Sequence, residues 1–317
     1  MAISLKGRNF FALEDFTPEE IRYLLDLAIQ LKKESKEHIK HQDYIGEDFL
    51  LLFEMNSTRT RCAFETSAND LGMGTTFLSN SHFGNTETIK DSMRVFSEMY
   101  SAIGYRGAKH STLLEMAKDS TIPIINGYTD HQHPTQMLAD AMTLDEVWGR
   151  ENYKGKTLCF IGRGGAVNSF SYGVMCAMLG MNFTYITSYM EMDEALEGLT
   201  AAEKATFRKF VPEGVVSPNW DTKMDARKRK IVEELFAKYS PECKFIETDD
   251  INAIKGVDVI TTENWGFFTD PVETWLPGIV RFRPYQVNRE LLERSENPDC
   301  IVIHMLPSTH NMDHASG

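Results

Sequence analysis

Phe49-Leu-Leu-Leu-Phe53-Glu-Met-Asn-Ser57-Thr-Arg-Thr-Arg61-Cys-Ala-Phe-Glu65 is the stretch on which the fold turns. An unbroken apolar run, Phe49 to Phe53, reads as a strand buried on both faces, as in a parallel sheet. A helical pattern from Cys62 to Leu71 follows, and Gly72 to Gly74 end it. Between strand and helix, hydroxyls alternate with guanidiniums: Ser57, Thr58, Arg59, Thr60 and Arg61. A helix start exposes unpaired N–H groups and the positive end of the helix dipole. An anion binds there readily. Hydroxyl donors, and a guanidinium that can bind two oxygens at once, suit a compact oxyanion such as phosphate. An N-cap followed by surface arginines explains any one of these residues. Two Thr-Arg pairs in succession at a strand-to-helix junction favour phosphate.

On either side, strand and helix patterns alternate. Upstream, Thr17 is placed as an N-cap, Pro18 at the first helical position and Glu20 at the capping-box spacing. The helix that follows carries Ile21, Leu24, Leu25, Ala28 and Leu31 at helical spacing. Downstream, strands are predicted over Thr75–Leu78, Ala102–Tyr105 and Ile122–Ile125, and helices over Thr88–Met99, Thr112–Ala117 and Thr135–Val147. The polar stretch Trp148–Lys156 interrupts the pattern. It restarts with a strand over Thr157–Ile161, the turn Gly162-Arg-Gly-Gly165, a helix through Leu179 and a strand over Phe183–Ile186. Late strands are predicted over Asp258–Thr262 and Cys300–His304. The expected fold class is α/β, with two doubly wound parallel-sheet domains, residues 1–150 and 151–317. The charged segment Glu191–Tyr239 is expected to form helices and an exposed insertion. Its basic run, Lys223 to Lys230, reads as a solvated helix face in preference to a nucleic-acid patch.

The 317 residues, 42% hydrophobic, are enough for two cores. A formal net charge of −13 argues against a general nucleic-acid binder, because a phosphate backbone would be repelled. The 5 cysteines are scattered and form no Cys-x-x-Cys or Cys/His ligand spacing, which predicts a reduced, intracellular protein without structural zinc. The N-terminal stretch lacks the apolar run of a secretory leader. No stretch reaches the ~18 apolar residues of a membrane span. A cytoplasmic protein, with neither nucleic acid nor membrane as partner, is the expectation.

Four further places can carry chemistry. His133 and Gln136, three apart across a Pro-initiated helix start, can face one side of its first turn. Imidazole and amide N–H groups are suited to hold a carbonyl oxygen and a neighbouring amino group. A capping histidine is the plainer role for a single His there. His131 beside His133 suggests a metal, but no further ligand cluster supports one. Arg106, at the end of a strand, points into the crevice where α/β sheets bind ligands, or makes a surface salt bridge. The Gly162 turn lacks the full GxGxxG spacing, and no acid ends the next strand, where Ile186 leads to Thr187 and Ser188. Last, His304-Met-Leu-Pro307 ends an apolar strand at a proline, where backbone carbonyls often meet a ligand.

Taken together, Ser57-Thr-Arg-Thr-Arg61, Lys90-Asp91 with Arg94, Tyr105-Arg106-Gly107, His133-Pro-Thr-Gln136, Tyr285-Gln-Val-Asn288 and His304-x-Leu-Pro307 resemble the aspartate/ornithine carbamoyltransferase family, and most closely its ornithine branch. The resemblance implies a carbamoyl-phosphate domain followed by an amino-acid or amine acceptor domain, a homotrimer, and no cofactor or metal. By this resemblance Ser57, Thr58, Arg59 and Thr60 bind the phosphate. Arg106, His133 and Gln136 hold the carbamoyl group, and the Leu306 backbone helps place its amino group. Thr60, Arg106, His133 and Gln136 are then the catalytic set, and Asn168, Glu263, Trp265 and Met305 fall on the acceptor side. The implied reaction moves a carbamoyl group to ornithine or a related amino acid. A diamine, an acylated ornithine, and a donor-binding homologue without turnover are the alternatives. A nucleotide-dependent oxidoreductase rests on the Gly162 turn alone.

Departures from the family fall on the acceptor side or in loops. Thr262-Glu-Asn-Trp-Gly-Phe-Phe268 stands where the ornithine branch has an acid followed by Ser-Met-Gly, with Glu263 in the place of Asp. Gly164-Gly-Ala166 replaces an Asn-rich turn, Met305 replaces a Cys, and His82 stands where a Gln often reaches the neighbouring subunit. The sequence reaches Gly317 soon after His304-Met-Leu-Pro307, short of a further helix that in the family brings one more active-site Arg. Lost packing and a lost guanidinium would weaken activity.

Overall fold

In the computed structural model, residues 3–163, 165–213, 223–265 and 272–306 are described. Strand β1 (Asp48–Phe53) is the apolar run of the opening stretch, and every residue after Asp48 is buried. β2 (Gly74–Leu78) lies on one side of it, and β3 (Ala102–Arg106) and β4 (Ile124–Tyr128) on the other, giving a parallel sheet of order β2-β1-β3-β4. The connecting helices are α2 (Arg59–Asp70), α3 (Ile89–Met99) and α4 (His110–Asp119). Ahead of the sheet, α1 (Pro18–Lys36) starts with the expected capping box between Thr17 and Glu20. α5 (Pro134–Trp148) closes this unit, residues 1–149. A central strand covered on both faces must be apolar throughout, which is why its sequence does not alternate.

The second unit, residues 150–317, repeats the plan. β5 (Thr157–Ile161), β6 (Asn182–Ile186), β7 (Phe245–Thr248), β8 (Val259–Thr262) and β9 (Ile301–His304) form a parallel sheet of order β7-β6-β5-β8-β9. α6 (Val167–Leu179) is buried on every side. α7 (Met192–Glu197) and α8 (Ala201–Phe210) come next, then α9 (Ala226–Tyr239), α10 (Leu276–Phe282) and α11 (Arg289–Arg294).

Several boundaries differ from expectation for identifiable reasons. α2 begins at Arg59, three residues early, so Arg59, Thr60 and Arg61 form its first turn. β4 starts at Ile124 because Ser120 Oγ bonds both the N–H and the carbonyl of Ile122, making a turn of that segment. The described parts of the charged segment form helices, as expected, but are not a mere insertion, and residues 214–222 lie outside the described residues. Val232, Leu235 and Phe236 of α9 are buried, and Val232 packs where Gly173 of α6 has no side chain. Arg227 and Lys230 are exposed, Lys230 pairing with Glu234, while Arg229 pairs with Glu233 and also with the buried side chain of Glu247. β7, α10 and α11 were not foreseen: pieces this short carry too few residues for a period to show.

Candidate active site

In an open α/β sheet, ligands bind outside the carboxyl ends of the strands, where the strand order reverses. In the first sheet that point lies between β1 and β3. The chain leaves β1 into Glu54–Thr58 and α2, and leaves β3 at Arg106. Thr58, the N-cap of α2, makes no side-chain capping bond, and the first turn holds no acidic residue. Arginines there oppose the helix dipole, an arrangement that an incoming anion would reverse. Arg61 is committed elsewhere: its Nε donates to Glu65 Oε1 at 3.0 Å, and its guanidinium lies 3.5 Å from the Phe77 ring centre.

Two glycines set α2 on the sheet. A Cβ at Gly104 would lie 3.4 Å from Phe64, and one at Gly127 would lie 3.0 Å from Phe64 and 3.2 Å from Thr60. Without those side chains α2 lies close enough to bring Thr60 over the end of β4. Arg106 converges on the same place, because its Nη1 donates to the Gly127 carbonyl at 3.2 Å. Its guanidinium stacks on Tyr128 at 4.7 Å. Its Nε is buried and has no hydrogen-bond partner among the described residues. Burial holds the Arg106 pKa below the ordinary guanidinium value, and the like charge of Arg59 adds to the effect against the opposing influence of Tyr128.

His133 is the N-cap of α5, edge-on to Tyr128 with ring centres 5.4 Å apart. Burial first, and then the neighbouring Arg106, lower its pKa to about 3. The imidazole is therefore neutral at ordinary pH, able to donate a hydrogen bond without carrying charge. Gln136 follows one turn later and donates from Nε2 to Asp140 Oδ1 at 3.0 Å. Thr60, Arg106 and His133 thus meet around Gly127 and Tyr128, with Arg59 near enough to act on Arg106. Ser57 is half-buried and Thr58 exposed on the approach to α2.

Sequence reasoning missed the residues that hold this loop. Asn126 is fully buried, and its Nδ2 donates to the carbonyls of Phe11 and Gln132. Its Oδ1 accepts from the Tyr128 N–H at 2.9 Å. Gln132 ties the loop to Leu13 and Glu14. The available signal was two amide residues flanking the strand end, each with enough donors and acceptors to replace missing backbone partners.

In the second sheet the order reverses between β5 and β8. Arg163 follows β5 and Glu263 follows β8, and Nη2 of the first donates to Oε1 of the second at 3.1 Å. Both side chains are over nine-tenths buried. Asn168, in the first turn of α6, donates from Nδ2 to Glu263 Oε2 at 2.7 Å and to Met305 Sδ at 3.3 Å. Glu263 therefore has its charge already matched, by an arginine that sequence reasoning did not single out. Trp265 is placed apart from these bonds, with its ring centre 6.2 Å from that of Phe282. Leu306, two residues past β9, is 52% exposed. His82 bonds Thr86 within its own loop. Gly164, Gly266 to Phe268, and the chain from Pro307 onward lie outside the described residues. Among the described residues no cluster of three or more His, Cys, Asp or Glu could hold a metal, and no helix is long and apolar enough to cross a membrane.

Two parallel sheets, one opening at its reversal point onto a cationic, hydroxyl-bearing helix start, define a two-unit α/β protein. The chain belongs to the aspartate/ornithine carbamoyltransferase family. Residues 8–146 match the family's carbamoyl-P binding domain and residues 198–316 its Asp/Orn binding domain. Arg163 and Asn168 fall between the two matched ranges. The chain is 35% identical to the catabolic ornithine carbamoyltransferase of Clostridium perfringens (strain 13 / Type A), over 99% of this chain and 85% of that protein. It is 37% identical to the catabolic enzyme of Mycoplasma capricolum subsp. capripneumoniae, over 99% and 90%. Among solved structures, an ornithine carbamoyltransferase from Pyrococcus furiosus superposes with a TM-score of 0.81 at 30% identity, covering 97% of this chain and 87% of that one.

Proposed function

We propose that this protein transfers the carbamoyl group of carbamoyl phosphate to the amine of ornithine or a related amino acid, with release of phosphate. The observation that carries the reading is Arg106: a partly buried side chain with a buried, unpartnered Nε, beside Thr60, a neutral His133 and the charge of Arg59. Its one hydrogen bond among the described residues goes to a backbone carbonyl. Such a group is held ready for an oxygen that the protein itself does not supply.

In this reading the first turn of α2, with Ser57, Thr58, Arg59 and Thr60, holds the phosphate. Arg106 and His133 donate to the carbamoyl oxygen, and Gln136 and the Leu306 carbonyl orient the carbamoyl amino group. The acceptor's neutral amine attacks the carbonyl carbon, a C–N bond forms, and negative charge grows on the carbonyl oxygen. Thr60, Arg106 and His133 stabilise that charge more than they stabilise the ground state. The bond from carbon to the phosphate oxygen then breaks, and the amine's proton passes to a phosphate oxygen of the leaving group. Orientation of two bound substrates supplies much of the rate. Asn168, Glu263, Trp265 and Met305 are assigned to the acceptor, residues 1–150 to the donor and residues 151–317 to the acceptor domain. A cytoplasmic homotrimer accompanies the reading.

Phosphate release from carbamoyl phosphate, measured with ornithine, putrescine, Nα-acetylornithine and aspartate, tests it. Release with ornithine is expected, and aspartate is expected to fail. Arg59→Ala should weaken donor binding by about 2–5 kcal/mol, as loss of one partner in a charge-assisted contact does. Donor binding by calorimetry with no release for any acceptor would leave a binding protein in place of an enzyme.

A further inference from the structure

Strands β3 and β4 lose step at their carboxyl ends. Tyr105 pairs with Asn126 but Arg106 pairs with Tyr128, so Gly127 is an extra residue on β4. Successive strand residues point to opposite faces of a sheet, and an inserted residue re-aims the side chain that follows it. In regular register Arg106 would lie beside a glycine. The shift instead puts Tyr128 beside Arg106. The backbone of Tyr128 is held at both ends: its N–H donates to Asn126 Oδ1 at 2.9 Å, and its carbonyl accepts from the Gly107 N–H at 3.1 Å. The Arg106 guanidinium lies over the Tyr128 ring, 4.7 Å from its centre. The His133 ring stands at 88° to the same ring, with centres 5.4 Å apart.

From this arrangement, and resting on the function proposed above, we propose that Tyr128 is a positioning residue for the transfer step, its ring fixing the plane of the Arg106 guanidinium and the tilt of His133. Arg106 needs such a platform. Its hydrogen bond from Nη1 to the Gly127 carbonyl, 3.2 Å long, fixes a point and leaves the guanidinium free to turn about it. Its buried Nε has no hydrogen-bond partner to stop that rotation. A cation lying on an aromatic face is held by the ring quadrupole, which sets the plane. Burial lowers the Arg106 pKa, and Tyr128 acts against that while Arg59 adds to it, so the same ring also favours the charged guanidinium. Both hydrogen-bond donors to the carbamoyl oxygen are thus oriented by one side chain before charge grows there, which is where preorganisation contributes most to rate. The ring does this, and the hydroxyl does not.

The test compares the full chain as wild type, Tyr128→Phe and Tyr128→Leu, with Tyr128→Met as the ring-free variant if Tyr128→Leu does not fold. In steady-state assays with carbamoyl phosphate and ornithine, the ring-free variant should lose kcat by about 100-fold, as misplacing a group at the reacting centre does. Its KM for carbamoyl phosphate should hold, because the start of α2 still binds the phosphate. Tyr128→Phe should rescue kcat to within about 3-fold of the wild type, since either ring offers a face to the cation. A ring that only fills space would instead change stability, or KM with kcat kept. The second readout needs no turnover. In isotope-labelled protein the Arg106 Nε–H resonance, assigned with Arg106→Lys, should lie upfield of ordinary arginine positions through the ring current. It should stay there in Tyr128→Phe and move downfield without the ring. An unchanged kcat in a folded ring-free variant, a loss confined to KM, an equal loss in Tyr128→Phe, or an Arg106 resonance that does not move would each overturn the proposal. If the wild type releases no phosphate with any acceptor, the transfer reading fails separately, and the Arg106 resonance alone decides whether the ring sets the guanidinium.

Discussion

His133 shows how much one side chain's environment changes its chemistry. A free imidazole takes up a proton near pH 6.5. In the fold this one does so only at about 3, because burial and then Arg106 disfavour the charged form. The stability consequence has a definite sign. Unfolded chains bind the proton below about 6.5 and the native site refuses it, so the stability associated with His133 is full above about 6.5 and is lost as pH falls toward 3. Urea unfolding at a series of pH values should show the wild type losing stability relative to His133→Gln by up to about 1.4 kcal/mol per pH unit over that window. A constant difference would mean that His133 titrates normally. The position of His133 before Pro134 was legible in the sequence as a helix start. Its neutrality was not, since that follows from an arginine on another strand.

Elements decide where the side chains go. α2 comes to rest on the sheet because Gly104 and Gly127 leave room for Phe64, and that contact carries Thr60 to the end of β4. At Gly127 the Tyr105 carbonyl would also lie 3.2 Å from an added Cβ, and backbone cannot move aside. Gly127→Ala should therefore lift the first turn of α2. We expect a loss of about 1–3 kcal/mol in urea unfolding, the usual cost of overpacking. Weaker donor binding by calorimetry should accompany it, and unchanged affinity in a destabilised variant would separate α2 placement from the site. The strand-to-helix junction itself was readable from Phe49 to Arg61. The glycines were not, because their partners come from elements well separated in sequence.

At the scale of the molecule, two units share one plan: a parallel sheet with charged residues after the strands at which its order reverses. The proposed homotrimer predicts a light-scattering mass three times the 36.1 kDa of the chain, and a mass of one chain at assay concentration would refute it. The alternation of strands and helices was legible in the first unit and in much of the second, because long apolar runs and helical periods persist without knowledge of their neighbours; β7, α10 and α11 were too short to show one.

What the sequence determined by itself is local: the junction after β1, the capping box of α1, the α/β alternation, and a family resemblance carried by short motifs. Those features need neighbours a few residues away. Tertiary structure alone decided that Arg61 turns aside to Glu65 and Phe77, that Arg106 keeps a buried nitrogen unpartnered, and that Glu263 meets Arg163. Charge balance and burial depend on residues brought together from distant parts of the chain. A carboxylate that reads as free in the sequence can therefore be neutralised by an arginine a hundred residues away.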